Sequence, residues 1–246
     1  MDFDANIWTE GKTDQQHLKR AAQALHISTK LAFQEFDGDL GDDQLLKQCV
    51  ALSRVPQPRP TIFIFDHDND AVVNRVSVPE HPFKAWGNNV FSLAIPIPDH
   101  RKGESAICIE SYYTDEQLRT TDIQGRRLYL SKEFNPVSGR HYGDPRLSVG
   151  NKSRLGRPDT VINRIIDAEV YDEKNANVAL SKGSFAVNVL EAHDSFVNIT
   201  FSAFQIIFDI ISTIVADAAI KGSEQESVRE AVFCWGRLNS EFANRQ

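Results

Sequence analysis

The chain reads as an α/β protein: a mainly parallel, Rossmann-type sheet flanked by helices, with a helical extension toward the C-terminus. Three observations predict this. Short β-rich segments alternate with helical ones through the first half, the order that builds a parallel sheet through crossover helices. Thr61–Phe65 (TIFIF) is a continuous apolar run of β-branched and aromatic residues, the mark of a strand covered on both faces. The second half is dominated by helical periodicity, which places helices against or beside the sheet.

The elements follow in order. Residues 5–9 form the end of a first strand, and Thr13 is the expected N-cap of a helix carrying Leu18, Ala21, Ala22 and Leu25 on one side. Residues 31–36 read as a second strand. After Gly41 a helix carries Leu45, Leu46, Val50 and Leu52, until Pro56, Pro58 and Pro60 interrupt the chain. Thr61–Phe65 is the third strand, residues 90–95 the next, and residues 106–109 a shorter one. Residues 139–158, rich in Gly, Pro, Ser and basic side chains, are expected to form a long loop. Helices are then expected over residues 159–169, 182–192, 201–219 and 224–242. This divides the chain into an α/β core over residues 1–135 and a basic loop and helical part over 136–246 that completes the core or is appended to it.

Composition narrows the classes. With 246 residues and 41% hydrophobic residues the chain can bury a core. No basic stretch followed by an apolar run opens the sequence, so no secretory signal is expected. The most apolar segment, residues 201–215, carries Asp209 and reads as a buried helix too short to span a bilayer. Cys49, Cys108 and Cys234 lack the paired spacing of zinc or redox motifs, which fits a reducing cytoplasm and no membrane. A net charge of −7 argues against nonspecific coating of nucleic acid. The stretch from Arg119 to Arg164 is nevertheless basic: Arg126, Arg127, Lys132, Arg140, Arg146, Lys152, Arg154 and Arg157 face only Asp122, Glu133, Asp144 and Asp159. Such a run is either a solvated loop face or the wall of a groove for a phosphate backbone.

The residues that carry chemistry lie at two strand ends. The first strand runs into Glu10-Gly11-Lys12-Thr13-Asp14 and the third into Asp66-His67-Asp68-Asn69-Asp70. In an open α/β sheet, residues just past the carboxyl ends of strands converge on one crevice. Carboxylates brought together repel one another and resist burial unless a cation balances them, which points to a hard metal with oxygen ligands. Asp66, Asp68 and Asp70 also resemble the start of an EF-hand loop, but that loop needs Gly and Glu where this chain has Ala71 and Ser77. Asp-x-Asp is shared with dehalogenase-type phosphatases, which usually carry Thr or Val where Asp70 stands. His67 points away from its acidic neighbours if the segment is extended, and reads as structural.

Glu-Gly-x-x-Asp after strand one, followed by Asp-x-Asp after strand three, resembles the Toprim family of topoisomerases, primases and metal-dependent nucleases, over about the first 110 residues. The likeness is greatest to the nuclease branch of overcoming-lysogenisation-defect (OLD) proteins and related bacterial anti-phage effectors. The resemblance implies a Mg²⁺ or Mn²⁺ site built from Glu10, Asp14, Asp66, Asp68 and a later acid, for which Glu110 is the candidate. Of these, Glu10, Asp66 and Asp68 would be catalytic together with a downstream lysine, for which Lys182 is the candidate. It implies phosphodiester hydrolysis on DNA or RNA, with Arg126, Arg127, Arg140, Arg146, Lys152, Arg154 and Arg157 as backbone contacts. OLD proteins carry an ATPase domain before the Toprim region. This chain starts almost on the first strand and contains no Gly-x-x-x-x-Gly-Lys-Ser/Thr loop, so the expectation is a standalone nuclease or one served by a separate ABC-type ATPase, with homo-oligomerisation open. A regulatory subunit with little activity alone and a dehalogenase-type phosphatase are the alternatives.

Overall fold

A computed structural model describes residues 3–36, 38–155 and 165–220. The expected α/β architecture is present. A five-stranded sheet has the order β2-β1-β3-β5-β4, from β1 (Ala5–Trp8), β2 (Leu31–Phe33), β3 (Thr61–Phe65), β4 (Lys84–Gly87) and β5 (Val90–Ala94). The first four in that order run parallel, and β4 closes the edge antiparallel to β5.

Alternation along β3 explains why TIFIF is apolar throughout. Ile62 and Ile64 join one buried cluster, Phe63 and Phe65 the other, because successive side chains of a strand leave opposite faces. The cluster on the first face takes in α1 (Lys12–Ala24), Leu118 of the single-turn α4 (Asp115–Leu118), α5 (Lys182–Glu191) and α6 (Ser202–Ile220). On the second lie α2 (Gly41–Leu52) and α3 (Asp70–Val76). Phe63 is fully buried. Phe63→Ala should therefore cost about 3–5 kcal/mol, read as a lower urea midpoint at unchanged m-value; a loss within about 1 kcal/mol, the scale of an ordinary surface change, would contradict this packing.

The 19-residue helix α6 is longer than the apolar segment read from the sequence and, by length and composition, sufficient to cross a bilayer. Its sidedness is that of a core helix. Phe204, Ile207, Phe208, Ile211 and Ile214 face the main cluster, while Gln205, Asp209, Ser212, Thr213 and Asp217 are exposed.

Several local expectations are corrected. The N-cap of α1 is Gly11 rather than Thr13, because the Asp14 carboxylate turns back to accept the Gly11 N–H at 3.1 Å. The strand expected over 106–109 is a single bridge between Ile107 and His67 followed by a 3-10 turn at Ile109–Tyr112. The Asp66 carboxylate accepts the Ile109 N–H at 3.1 Å and so helps end the extension there. Strand β2 stops at Phe33, and α3 and β4 were not anticipated. The stretch expected as a bare loop contains β7 (Ser148–Val149), and Ile165–Ile166 of the expected helix is strand β8. With β6 (Tyr129–Leu130) and β9 (Val170–Tyr171) they form two short antiparallel pairs. Tyr129, Phe134, Val149, Ile166 and Val170 give this unit its own small core. Residues 167–169 of that expected helix are not helical either, with Ala168 at φ 54°; residues 159–164, the whole of the helix expected over 224–242, Arg157 and Cys234 lie outside the described residues.

Candidate metal and phosphodiester site

The topology creates a switch point between β1 and β3. The chain leaves β1 toward β2 on one side, and α2 brings it back to β3 on the other, opening a crevice at the carboxyl ends of the two central strands. Glu10 and Asp66 flank it. The Asp66 N–H donates to Glu10 Oε1 at 3.0 Å, tying the two strand ends together. Asp14 lies one helical turn into α1, and Asp68 is the exposed member of the third-strand motif.

Glu110 reaches the crevice from the 3-10 turn and Lys182 from the first turn of α5. Ser181 caps that helix through its Oγ, which accepts the Ser184 N–H at 2.9 Å. The Lys182 N–H donates to Asp167 at 2.7 Å. The Lys182 ammonium then meets Glu110 Oε2 at 3.0 Å. The fold thus brings Glu10, Asp14, Asp66, Asp68, Glu110 and Lys182 into one electrostatically coupled group. Asp70 sits exposed in the first turn of α3. His67 bonds through Nδ1 to the Ile95 carbonyl oxygen at 3.2 Å, in keeping with a structural part.

Two acids belong here that the sequence reading passed over. Asp42, at the start of α2, shares a hydrogen bond with Glu10 and repels Asp68. Asp39 repels Asp14 and approaches the Lys12 N–H at 3.4 Å. The acid-rich run Asp39-Leu40-Gly41-Asp42-Asp43 after the second strand was the available signal. His17, one turn beyond Asp14, is also coupled to Glu110. It is fully buried, shares a hydrogen bond with the Tyr113 hydroxyl at 2.9 Å, and is held down to about 4 by burial.

The electrostatics are those of a site short of positive charge. Burial, then the shared hydrogen bond with Asp42, pushes Glu10 up to about 9. Burial, then Glu110, pushes Asp14 up to about 7. Asp66 lies well above the ordinary carboxylate range through burial and through Asp14, Glu10, Glu110 and Asp68. Burial acts upward on Glu110 as well, but the charge and hydrogen bond of Lys182, with His17 and Cys108, together outweigh it and hold the group at about 2. Lys182→Met would strand that charge. With 34% of the Lys182 side chain exposed, the loss falls at the low end for breaking a buried pair, about 3 kcal/mol. Denaturant melts at neutral pH should show it; an unchanged midpoint would mean that Glu110 is not ionised by this lysine.

The donor set suits a hard divalent cation: every candidate ligand is a carboxylate oxygen, and the cluster carries more acid than Lys182 can balance. No group of three or more His, Cys, Asp or Glu is already gathered for a metal among the described residues. The hydrogen bonds give the reason. Glu10 is turned onto the Asp66 amide, Asp66 onto the Ile109 amide, Asp14 onto the Gly11 amide, and Glu110 onto Lys182.

The basic stretch is largely neutralised from within. Arg126 pairs with Asp122 at 2.8 Å, Arg127 with Glu133 at 2.7 Å and Arg146 with Asp144 at 2.8 Å. Glu133 also takes Arg119 at 3.4 Å, and Lys132 pairs with Asp115. Arg140 donates to the Pro145 carbonyl oxygen at 2.7 Å. Lys152 is exposed, and Arg154 lies in the 3-10 turn Lys152–Leu155.

These features define an open α/β protein with an acidic crevice at the switch point of its parallel sheet. Comparison with models of known families, with curated proteins and with solved structures returns no match.

Proposed function

We propose that the protein is a metal-dependent nuclease of the Toprim kind that hydrolyses phosphodiester bonds of DNA or RNA. The observation that carries this reading is the electrostatic coupling of Glu10, Asp66 and Asp68, just past the ends of adjacent parallel strands, with Asp14, Glu110 and Lys182 from the flanking helices and turn. A Mg²⁺ or Mn²⁺ ion held by those carboxylates would neutralise phosphate charge and favour ionisation of an attacking water. Lys182, at the mouth of the crevice, stabilises charge that grows on the phosphate oxygens. Glu110 keeps that ammonium protonated and aimed.

A second reading, a subunit with little activity until a partner engages it, is supported by the carboxylates being turned onto backbone amides and by Glu110 being occupied with Lys182. The likeness to OLD-type effectors makes a separate ABC-type ATPase the partner to test and anti-phage defence in the bacterial cytoplasm the setting.

The test is incubation of the purified chain, alone and with a co-expressed ATPase neighbour, with labelled DNA and RNA in Mg²⁺ or Mn²⁺. Metal-dependent cleavage by wild type and none by the Glu10→Ala, Asp66→Ala double variant is the expected result. Equal cleavage by both would sink the assignment; activity only with the ATPase selects the second reading.

A further inference from the structure

We infer that nucleic acid leaves the crevice along the groove between α2 and α3, and that Lys47, Arg54 and Arg75 are its phosphate contacts. This inference rests on the nuclease reading and adds the track that the strand follows.

The groove has a volume of about 310 Å³, and its polar lining is Asp43, Lys47, Arg54 and Arg75 over a floor that includes Val50 and Ala51. Its lining starts at Asp43, one residue from Asp42 of the crevice. Asp42, beside Asp43, is coupled to Glu10 and Asp68, and Asp42 accepts a hydrogen bond from Asn69 Nδ2 at 2.9 Å. Helix α3 starts directly after that asparagine. Both helices begin at the crevice and run away from it, as crossover helices of a parallel sheet must. From Asp43 to Leu52 the helical rise is about 14 Å, with Arg54 in the turn just beyond, room for more than one phosphate of a strand.

What separates these cations from most of the basic middle stretch is their freedom. Arg119, Arg126, Arg127, Lys132 and Arg146 are all committed to carboxylates, so a phosphate would have to displace a partner already in place. Lys47, Arg54 and Arg75 are exposed and form no ion pair among the described residues. Lys84, whose ammonium donates to the Arg75 carbonyl oxygen at 2.6 Å and lies 4.0 Å from the Trp86 ring centroid, adds a further positive charge beside them. On a chain of net charge −7, free cations lined up from an acidic crevice are where a polyanion gains most by releasing counterions.

The test measures binding of a fluorescent single-stranded oligonucleotide by anisotropy across a salt series, with Asp66→Asn as the background so that nothing is cut. Adding Lys47→Glu, Arg54→Glu and Arg75→Glu together should weaken binding at least tenfold and flatten the log K against log salt slope by about 2 units, the loss of three single-strand phosphate contacts. The same three positions changed to Ala remove the same three contacts and should flatten the slope by about as much while weakening binding by less, with the melting temperature held. Unchanged affinity and slope, with wild type still cleaving in an Asp66-dependent way, would overturn the groove and leave the nuclease reading intact. Failure of the parent protein to bind at any salt, together with no cleavage by wild type, would overturn both.

Discussion

Glu10→Gln and Asp66→Asn should each reduce metal-dependent phosphodiester cleavage by about a thousandfold or more, the size expected when several kcal/mol of metal-centred charge stabilisation is lost. Both should raise the melting temperature of the metal-free protein. Activity and stability move in opposite directions because the same charge serves one and harms the other. The substitutions preserve the bonds that shape the crevice. The amide oxygen introduced by Glu10→Gln can still accept the Asp66 N–H, and that introduced by Asp66→Asn the Ile109 N–H, contacts now 3.0 and 3.1 Å long. What they remove is an ionisable group pushed upward by burial and by neighbouring acids. In a chain of this size each kcal/mol relieved is worth about 2–4 °C. Lost activity with an equally lowered melting temperature would instead mark these residues as structural.

The second large effect is a metal-induced rise in melting temperature that grows with pH. Glu10 titrates at about 9 in the folded chain against an ordinary 4.5, and Asp14 at about 7 against 3.8. Well below pH 3.8 both groups are protonated whether the chain is folded or not, and neither affects stability. Between the ordinary and folded values the unfolded chain has released its proton while the folded chain retains it, so stability falls as pH rises. The window runs from 4.5 to about 9 for Glu10 and from 3.8 to about 7 for Asp14. Glu110 works in the opposite direction: held at about 2, it contributes stability above 4.5 that is lost as pH falls through 2. A divalent cation competes with the protons on the raised groups and relieves their repulsion. Because that competition eases as the groups ionise between their ordinary and folded values, Mg²⁺ or Mn²⁺ should shift the melting curve least at the acid end of the Glu10 window and most near its upper end at about 9. Glu10→Gln should blunt that growth. A metal effect absent at every pH would rule out this cluster as the binding site.

Much of the fold is legible locally because alternation and helical spacing are written in consecutive residues. TIFIF could only be a strand covered on both sides, and the Leu45, Leu46 and Val50 spacing of α2 could only present one apolar face. The errors fall where tertiary contacts outvote local preference. Residues 106–109 have strand composition, yet the chain bends into a 3-10 turn because the Asp66 carboxylate meets Ile109 from across the crevice. Ile165–Ile166 has apolar residues compatible with helix or strand, and pairing with β6 decides for strand.

The acidic cluster has the same division. By itself the sequence determined that Glu10 and the Asp66–Asp68 pair follow the ends of two apolar strands, which in a parallel sheet puts them at one edge; that those strands are neighbours came with the strand order. The Toprim resemblance named Asp14, Glu110 and Lys182 as further members, and only the tertiary structure decided how these and other groups meet. Asp42 comes from the far side of the switch point, and Glu110 finds Lys182 across 72 residues of chain, a distance over which no periodicity carries information. It also decided the fate of the positive charges, since an arginine is free for phosphate only if no carboxylate folds against it.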